Sequence, residues 1–119
     1  MEIKIENLTK AYGDFKAVDN MNLNIADGEL VGLLGPSGCG KSTTLFMLAG
    51  LNDPTSGHIY FGGKDVTKVA PEDREIGLVF QNYALYPHMT VADNIMFPLI
   101  KQRQESVPRR WQSLCSLII

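Results

Sequence analysis

The run Gly35-Pro36-Ser37-Gly38-Cys39-Gly40-Lys41-Ser42 follows the spacing GxxxxGK[ST]. Those residue types at that spacing make a cradle for a row of phosphates. The glycines let the backbone curl so that successive N–H groups face one concavity, and a helix starting there adds its partial positive N-terminus to the same point. Lys41 brings a mobile positive charge to the β- and γ-phosphates, the Ser42 hydroxyl brings an oxygen to Mg2+, and Thr43 follows in the same first turn. The expected chemistry is the binding of a nucleoside triphosphate with Mg2+.

Such a loop needs a strand before it and a helix after it, and the flanking sequence provides both patterns. Residues 30–34 form an almost unbroken apolar run, the pattern of a strand covered on both faces. After the loop, Leu45, Leu48 and Ala49 recur at helical spacing, and Gly50 with Asn52, Asp53 and Pro54 gives stop signals. Upstream, Ile3 and Ile5 alternate with Glu2, Lys4 and Glu6, and Met21, Leu23 and Ile25 alternate with three asparagines, predicting half-exposed antiparallel strands closed by an Asp27-Gly28 turn. Downstream, short strands are expected at 58–61 and near Asp65 and Val66 around a Gly62-Gly63 turn, followed by a turn or helical start at Pro71-Glu72-Asp73. A further buried strand is expected at 76–80. Thr90-Val91-Ala92-Asp93 has the spacing of a capping box and opens a helix that Pro98 should end or kink. Met47 and Met96 read as gap-filling core residues, and His88 as a loop or docking-surface histidine.

The chain of 119 residues is one domain in size and short for a complete nucleotide hydrolase. A net charge of −2 with interspersed signs points away from nucleic acid and from a polybasic membrane patch. No apolar stretch reaches the length of a membrane span, and charged Glu2 and Lys4 stand where a signal peptide would be apolar, so a cytoplasmic chain is expected. Cys39 and Cys115 make no metal spacing and read as free thiols.

Residues 1–99 resemble the N-terminal half of the nucleotide-binding subunit of ATP-binding cassette (ABC) transporters. Tyr12, in Leu8-Thr9-Lys10-Ala11-Tyr12-Gly13, matches the aromatic that stacks on adenine. Gln81, in Val79-Phe80-Gln81-Asn82-Tyr83, matches the Q-loop glutamine near Mg2+ and the γ-phosphate, and residues 84–91 match the surface that receives a transmembrane partner. The wording around them is most similar to sugar importers of the maltose and multiple-sugar type, with polyamine and iron importers close behind. The resemblance implies an α/β fold, a RecA-like P-loop NTPase core fragment with parallel strands and a P-loop helix, plus an antiparallel β layer. It implies ATP and Mg2+ as cofactors, with ATP held by Tyr12, the loop from Gly35 through Thr43, and Gln81, and with Ser42 and Gln81 on the metal side. For the parent protein it implies permease subunits and a nucleotide-binding dimer as partners, ATP hydrolysis coupled to solute import, and a place on the cytoplasmic side of the membrane.

Beyond residue 99 the likeness to that family ends. The sequence contains neither the Ser-Gly-Gly signature nor the Walker B run, since no Asp follows four apolar residues. Residues 100–119 are read as a divergent tail left by a truncation or frameshift, in which Val107, Trp111, Leu114 and Ile118 nonetheless keep the spacing of a helical stripe. A GTPase or small-molecule kinase is a rival reading, but the DxxG and [NT]KxD patterns of a GTPase are both missing from the sequence. A docking or regulatory module without nucleotide chemistry, or a non-functional remnant, stays open.

Overall fold

The computed structural model describes residues 1–104 and 116–118, with side chains as far as residue 99. Strand β1 (Ile3–Tyr12) and strand β2 (Phe15–Ile25) form a long hairpin, and helix α1 (Lys41–Ala49) follows the phosphate-type loop. Then come β3 (Ser56–Phe61), β4 (Lys64–Asp65), a 3-10 turn at Pro71–Asp73, β5 (Gly77–Val79), α2 (Val91–Gln104) and β6 (Ser116–Ile118). The first four strands make one antiparallel sheet in the order β2-β1-β3-β4, while β5 and β6 pair in parallel.

The antiparallel layer arises from alternation that is reset once. Ile3 and Ile5 point inward, opposite Ile59 and Phe61 of β3. Asn7 then takes a positive φ of 49° at a register shift, a bulge that turns Leu8 inward where strict alternation would bury Asn7. Gly57 faces this bulge at φ +92°, and a Cβ there would stand 2.4 Å from the Asn7 carbonyl oxygen, so a side chain has no room. The asparagines of β2 serve the bulge as well as the solvent: Asn22 Oδ1 accepts from Asn7 N at 2.9 Å and its Nδ2 donates to Asn7 Oδ1.

Leu45, Met47 and Leu48 of α1 join Ile3, Ile5, Leu8, Val18, Ile59, Phe61 and Val66 in a single buried cluster. Truncating a fully buried member such as Ile59 or Met47 to alanine costs about 2–5 kcal/mol. At its C-terminus α1 stops on Gly50 at φ 82°, whose N–H and that of Leu51 close onto the carbonyls of Met47 and Phe46.

Five expectations from sequence need correction in whole or in part. Residues 30–34 form no strand, and Leu30 and Leu34 are 96% and 95% exposed, because no described strand offers this run a hydrogen-bonded neighbour. The strand expected at 76–80 is only Gly77–Val79 and is half-buried to exposed, having a single neighbour, β6. Of the two outcomes expected at Pro98 the helix end does not occur, since α2 continues to Gln104, and Met96 on α2 is exposed instead of filling a core gap. Ile118, the end of the expected helical stripe, lies in β6; Val107, Trp111, Leu114 and Cys115 lie outside the described residues. The turns at Asp27-Gly28 and Gly62-Gly63, the 3-10 turn and the Thr90 cap, which accepts from Asp93 N at 3.1 Å, form as expected.

Candidate functional site

The phosphate-type loop is fixed by backbone contacts. Gly40 is the N-cap of α1 at φ 90°, ψ 7° and, lacking a side chain, cannot cap the first turn. The N–H groups of Lys41, Ser42 and Thr43, in the first turn of the helix, have no intrahelical carbonyl to bond, which suits them to an anion. Thr44, buried, closes the first turn by donating both N–H and hydroxyl to the Gly40 carbonyl, at 2.9 and 2.8 Å. A Cβ on Gly40 would stand 2.3 Å from the Ala17 carbonyl oxygen of β2, so glycine is required by both space and φ. At Gly35 a Cβ would fall 2.6 Å from Cys39 Sγ, so the exposed Cys39 side chain would have to turn away.

Lys41 Nζ donates to the carbonyls of Gly35 at 2.5 Å and Pro36 at 2.9 Å, and lies 3.3 Å from the exposed free thiol of Cys39. The ammonium is thus held over the loop by weak neutral acceptors. Phosphate oxygens would be stronger acceptors for it, since they add a full opposite charge to a bond whose donor is already ionised.

The loop forms one end of a cleft of ≈ 530 Å³ lined by Ser37, Gly38, Gly40, Lys41, Ser42 and Thr43 and, from the first hairpin, by Tyr12, Phe15 and Ala17. Tyr12 and Phe15 face each other across a tight turn whose first central residue is Gly13 at φ 61°. Their rings are 53% and 61% exposed, available to a planar ligand. The structure therefore unites Tyr12 with the loop expected to hold phosphates. Gly35, Pro36 and Cys39 shape the loop without lining the cleft, and Gln81, exposed in the turn after β5, is not among its lining residues.

Ser42, the residue expected on the metal side, lines this cleft together with Ser37 and Thr43. Among the described residues no group of three or more His, Cys, Asp or Glu side chains could hold a metal. A serine hydroxyl beside bound phosphates would suit Mg2+, which keeps several waters and binds through one or two protein oxygens and phosphates.

Sequence reasoning missed two residues that line the cleft and one buried residue that anchors the far end of α1. Phe15 and Ala17 were legible in principle, because a two-residue turn after Tyr12 puts Phe15 opposite it. Arg74 left no signal. It is 4% exposed, and its guanidinium donates to the carbonyls of Met47, Leu48, Thr67 and Val69, tying the C-terminus of α1 to the chain that leads into β5. Burial pushes its pKa below the ordinary value, with Asp53 acting in the opposite direction. Residues 84–91, with Tyr83 before them, stand largely exposed, Tyr83, Leu85, Tyr86 and Val91 among them. No helix among the described residues is long and apolar enough to cross a membrane.

The family model described as "ABC transporter" matches residues 18–116. The chain is 54% identical over 110 residues to a probable sulfate/thiosulfate import ATP-binding protein of Chlorella vulgaris, covering 92% of this chain and 47% of the relative. It is 58% identical over 98 residues to a xylose/arabinose import ATP-binding protein of Haloferax volcanii, covering 82% and 26%. It is 54% identical over 97 residues to an Fe(3+) ions import ATP-binding protein of Brucella abortus, covering 82% and 28%. Among solved structures it is similar, at TM-score 0.74 and 38% identity, to a dimeric ATP-binding cassette in a post-hydrolysis state bound to ADP and Pi, covering 89% of this chain and 50% of that one. The chain spans half or less of the length of these relatives.

Proposed function

The chain belongs to the ABC transporter family, and from that premise we propose that it binds Mg2+-ATP in the cleft between Tyr12 and the N-terminus of α1. Its fold is that of the P-loop ATP-binding cassettes, present as a partial α/β unit with an antiparallel sheet. The observation that carries the reading is the union, in one cleft, of exposed aromatic rings with a helix N-terminus that has no side-chain cap.

In this reading the N–H groups of the loop and of the first turn of α1 hold the phosphates, and Lys41 exchanges its carbonyl partners for the β- and γ-phosphate oxygens. Ser42 Oγ holds Mg2+, and Tyr12 stacks on the base. Bound Mg2+ supplies charge neutralisation at the phosphates. Gln81, exposed in the turn after β5 and outside the cleft lining, is assigned to the γ-phosphate side on the family resemblance alone.

Within the whole transporter we assign the chain to the ATP-binding side of a solute importer. The exposed segment 84–91 is the face for a membrane-embedded subunit, and the cassette dimer is the assembly in which hydrolysis occurs. The relatives named for sulfate/thiosulfate, pentoses and ferric ion support import as such. The finer reading, carbohydrate import, draws on the wording of residues 71–95 and on the pentose relative.

Hydrolysis needs a positioned water, and no carboxylate following an apolar run is present in this sequence to position one. The 119-residue chain alone is therefore expected to bind ATP without turning it over. Titration calorimetry with Mg2+-ATP tests this. Lys41→Ala should weaken binding about 10- to 100-fold, and phosphate release should match that variant's at every protein concentration. Equal ATP affinity in the two proteins would refute the assignment.

A further inference from the structure

We propose that Asn52 and Lys10 are positioning residues for the Tyr12 ring, holding it ready for a purine base; this rests on the nucleotide reading above. Asn52 lies in the loop that leaves α1. Its side-chain Nδ2 donates to Tyr12 Oη at 3.0 Å, forty residues away in sequence. That contact acts at the tip of the ring, where a single hydrogen bond has the longest lever over the ring plane. Lys10 Nζ lies over the same ring, 5.3 Å from its centroid, within the range of a cation–π contact. It covers one face and leaves the other to a base.

Both partners are themselves held. The N–H groups of Leu51 and Asn52 donate to the Phe46 carbonyl at the end of α1. Thr55 N donates to the Thr9 carbonyl, Thr55 Oγ1 accepts from Ala11 N, and Lys10 Nζ donates to the Asp53 carbonyl at 2.6 Å. The loop between α1 and β3 is thus tied at one end to the helix and at the other to the part of β1 that carries Tyr12. One helix serves both halves of the ligand: its first turn faces the phosphates, and the loop after its last turn fixes the base platform. An exposed ring oriented before the ligand arrives loses less rotamer freedom on stacking, and that saving appears as affinity.

The separating probe is inorganic triphosphate, which has phosphates and no base. In the full chain with Mg2+, Asn52→Ala and Lys10→Met should each weaken ATP about threefold and leave triphosphate affinity unchanged. Tyr12→Phe keeps the stacking ring and removes Oη, so it should behave like Asn52→Ala. Adding Asn52→Ala to Tyr12→Phe should then cost nothing more, because the bond is already gone. Equal weakening of ATP and triphosphate by Asn52→Ala would overturn the proposal in favour of a purely structural loop. So would undiminished ATP binding, or full additivity with Tyr12→Phe. Wild-type chain that binds neither probe would instead sink the nucleotide reading and this inference together.

Discussion

At the phosphate end of the cleft the fixed atoms belong to the backbone, whereas at the base end they are the tips of exposed side chains. Gly40 is pressed against the Ala17 carbonyl at a φ that other residues avoid, and Thr44 locks the first turn from a buried position. Tyr12 and Phe15 are more than half exposed, and the Tyr12 hydroxyl is held by the side chain of Asn52. One end is dictated by chain geometry, and at Gly40 it leaves no room for a side chain. The other is assembled from contacts that water competes for, each worth little and each replaceable. The difference predicts that damage at the first end removes all ligands, while damage at the second removes only the contribution of the base.

The most severe break is Gly40→Ala. The positive φ and the 2.3 Å approach to Ala17 together should cost about 3 kcal/mol or more, and both ATP and inorganic triphosphate should cease to bind. Urea unfolding and calorimetry on the same preparation check this. Native-like stability with intact binding would show that the loop is not fixed by that contact.

Arg74→Met probes the opposite end of α1. It strips hydrogen bonds from four carbonyls, two of them at the helix C-terminus, and should lower stability by about 2–3 kcal/mol. Because the loss lies away from the cleft, the ratio of ATP to triphosphate affinity should stay that of wild type at temperatures where the variant is folded.

Tyr12→Ala should act on the base end alone. Losing one aromatic–base stack costs about tenfold in ATP affinity, with triphosphate binding unchanged. A parallel loss of triphosphate would erase the distinction between the two ends.

The smallest effect is expected in the sheet that carries Tyr12. The Asp65 carboxylate accepts from the Thr67 hydroxyl at 2.6 Å and from Thr67 N at 2.9 Å, and it also faces His58 Nδ1 at 3.0 Å. The Thr67 bonds above all hold its pKa below the ordinary 3.8. A depressed carboxyl pKa gives stability that is present above the unfolded value and fades as pH falls through the folded one. Asp65→Asn should therefore lose stability less steeply than wild type between about pH 5 and pH 3, measured as the urea midpoint. Identical slopes would remove Asp65 from the account.

The same contrast explains what was legible in the sequence. A cradle made of backbone needs glycines at fixed intervals, so residues 35–42 announced themselves, and so did α1, whose buried stripe follows the helical period. The base platform depends on which exposed side chains meet across forty residues, and no local pattern encodes the approach of Asn52 to Tyr12. Tyr12 itself was found through family resemblance. The run at 30–34 shows the converse error: unbroken hydrophobicity describes what a segment would gain from burial, but a strand forms only beside another strand. The alternation legible in β1 ends at Glu6 and says nothing of Asn7, whose bulge is what keeps Leu8 in the core. Arg74 is a charged residue that becomes core because four carbonyls face it, and sequence periodicity carries no information about that.

The most direct test of the two-ended cleft is a titration of the chain with Mg2+-ATP followed by amide and aromatic NMR shifts. The account predicts the largest changes at the N–H groups of Gly38, Gly40, Lys41, Ser42 and Thr43 together with the Tyr12 ring, and with inorganic triphosphate the same amide changes without those of the ring. Shifts centred elsewhere, or ring changes that triphosphate reproduces in full, would contradict it.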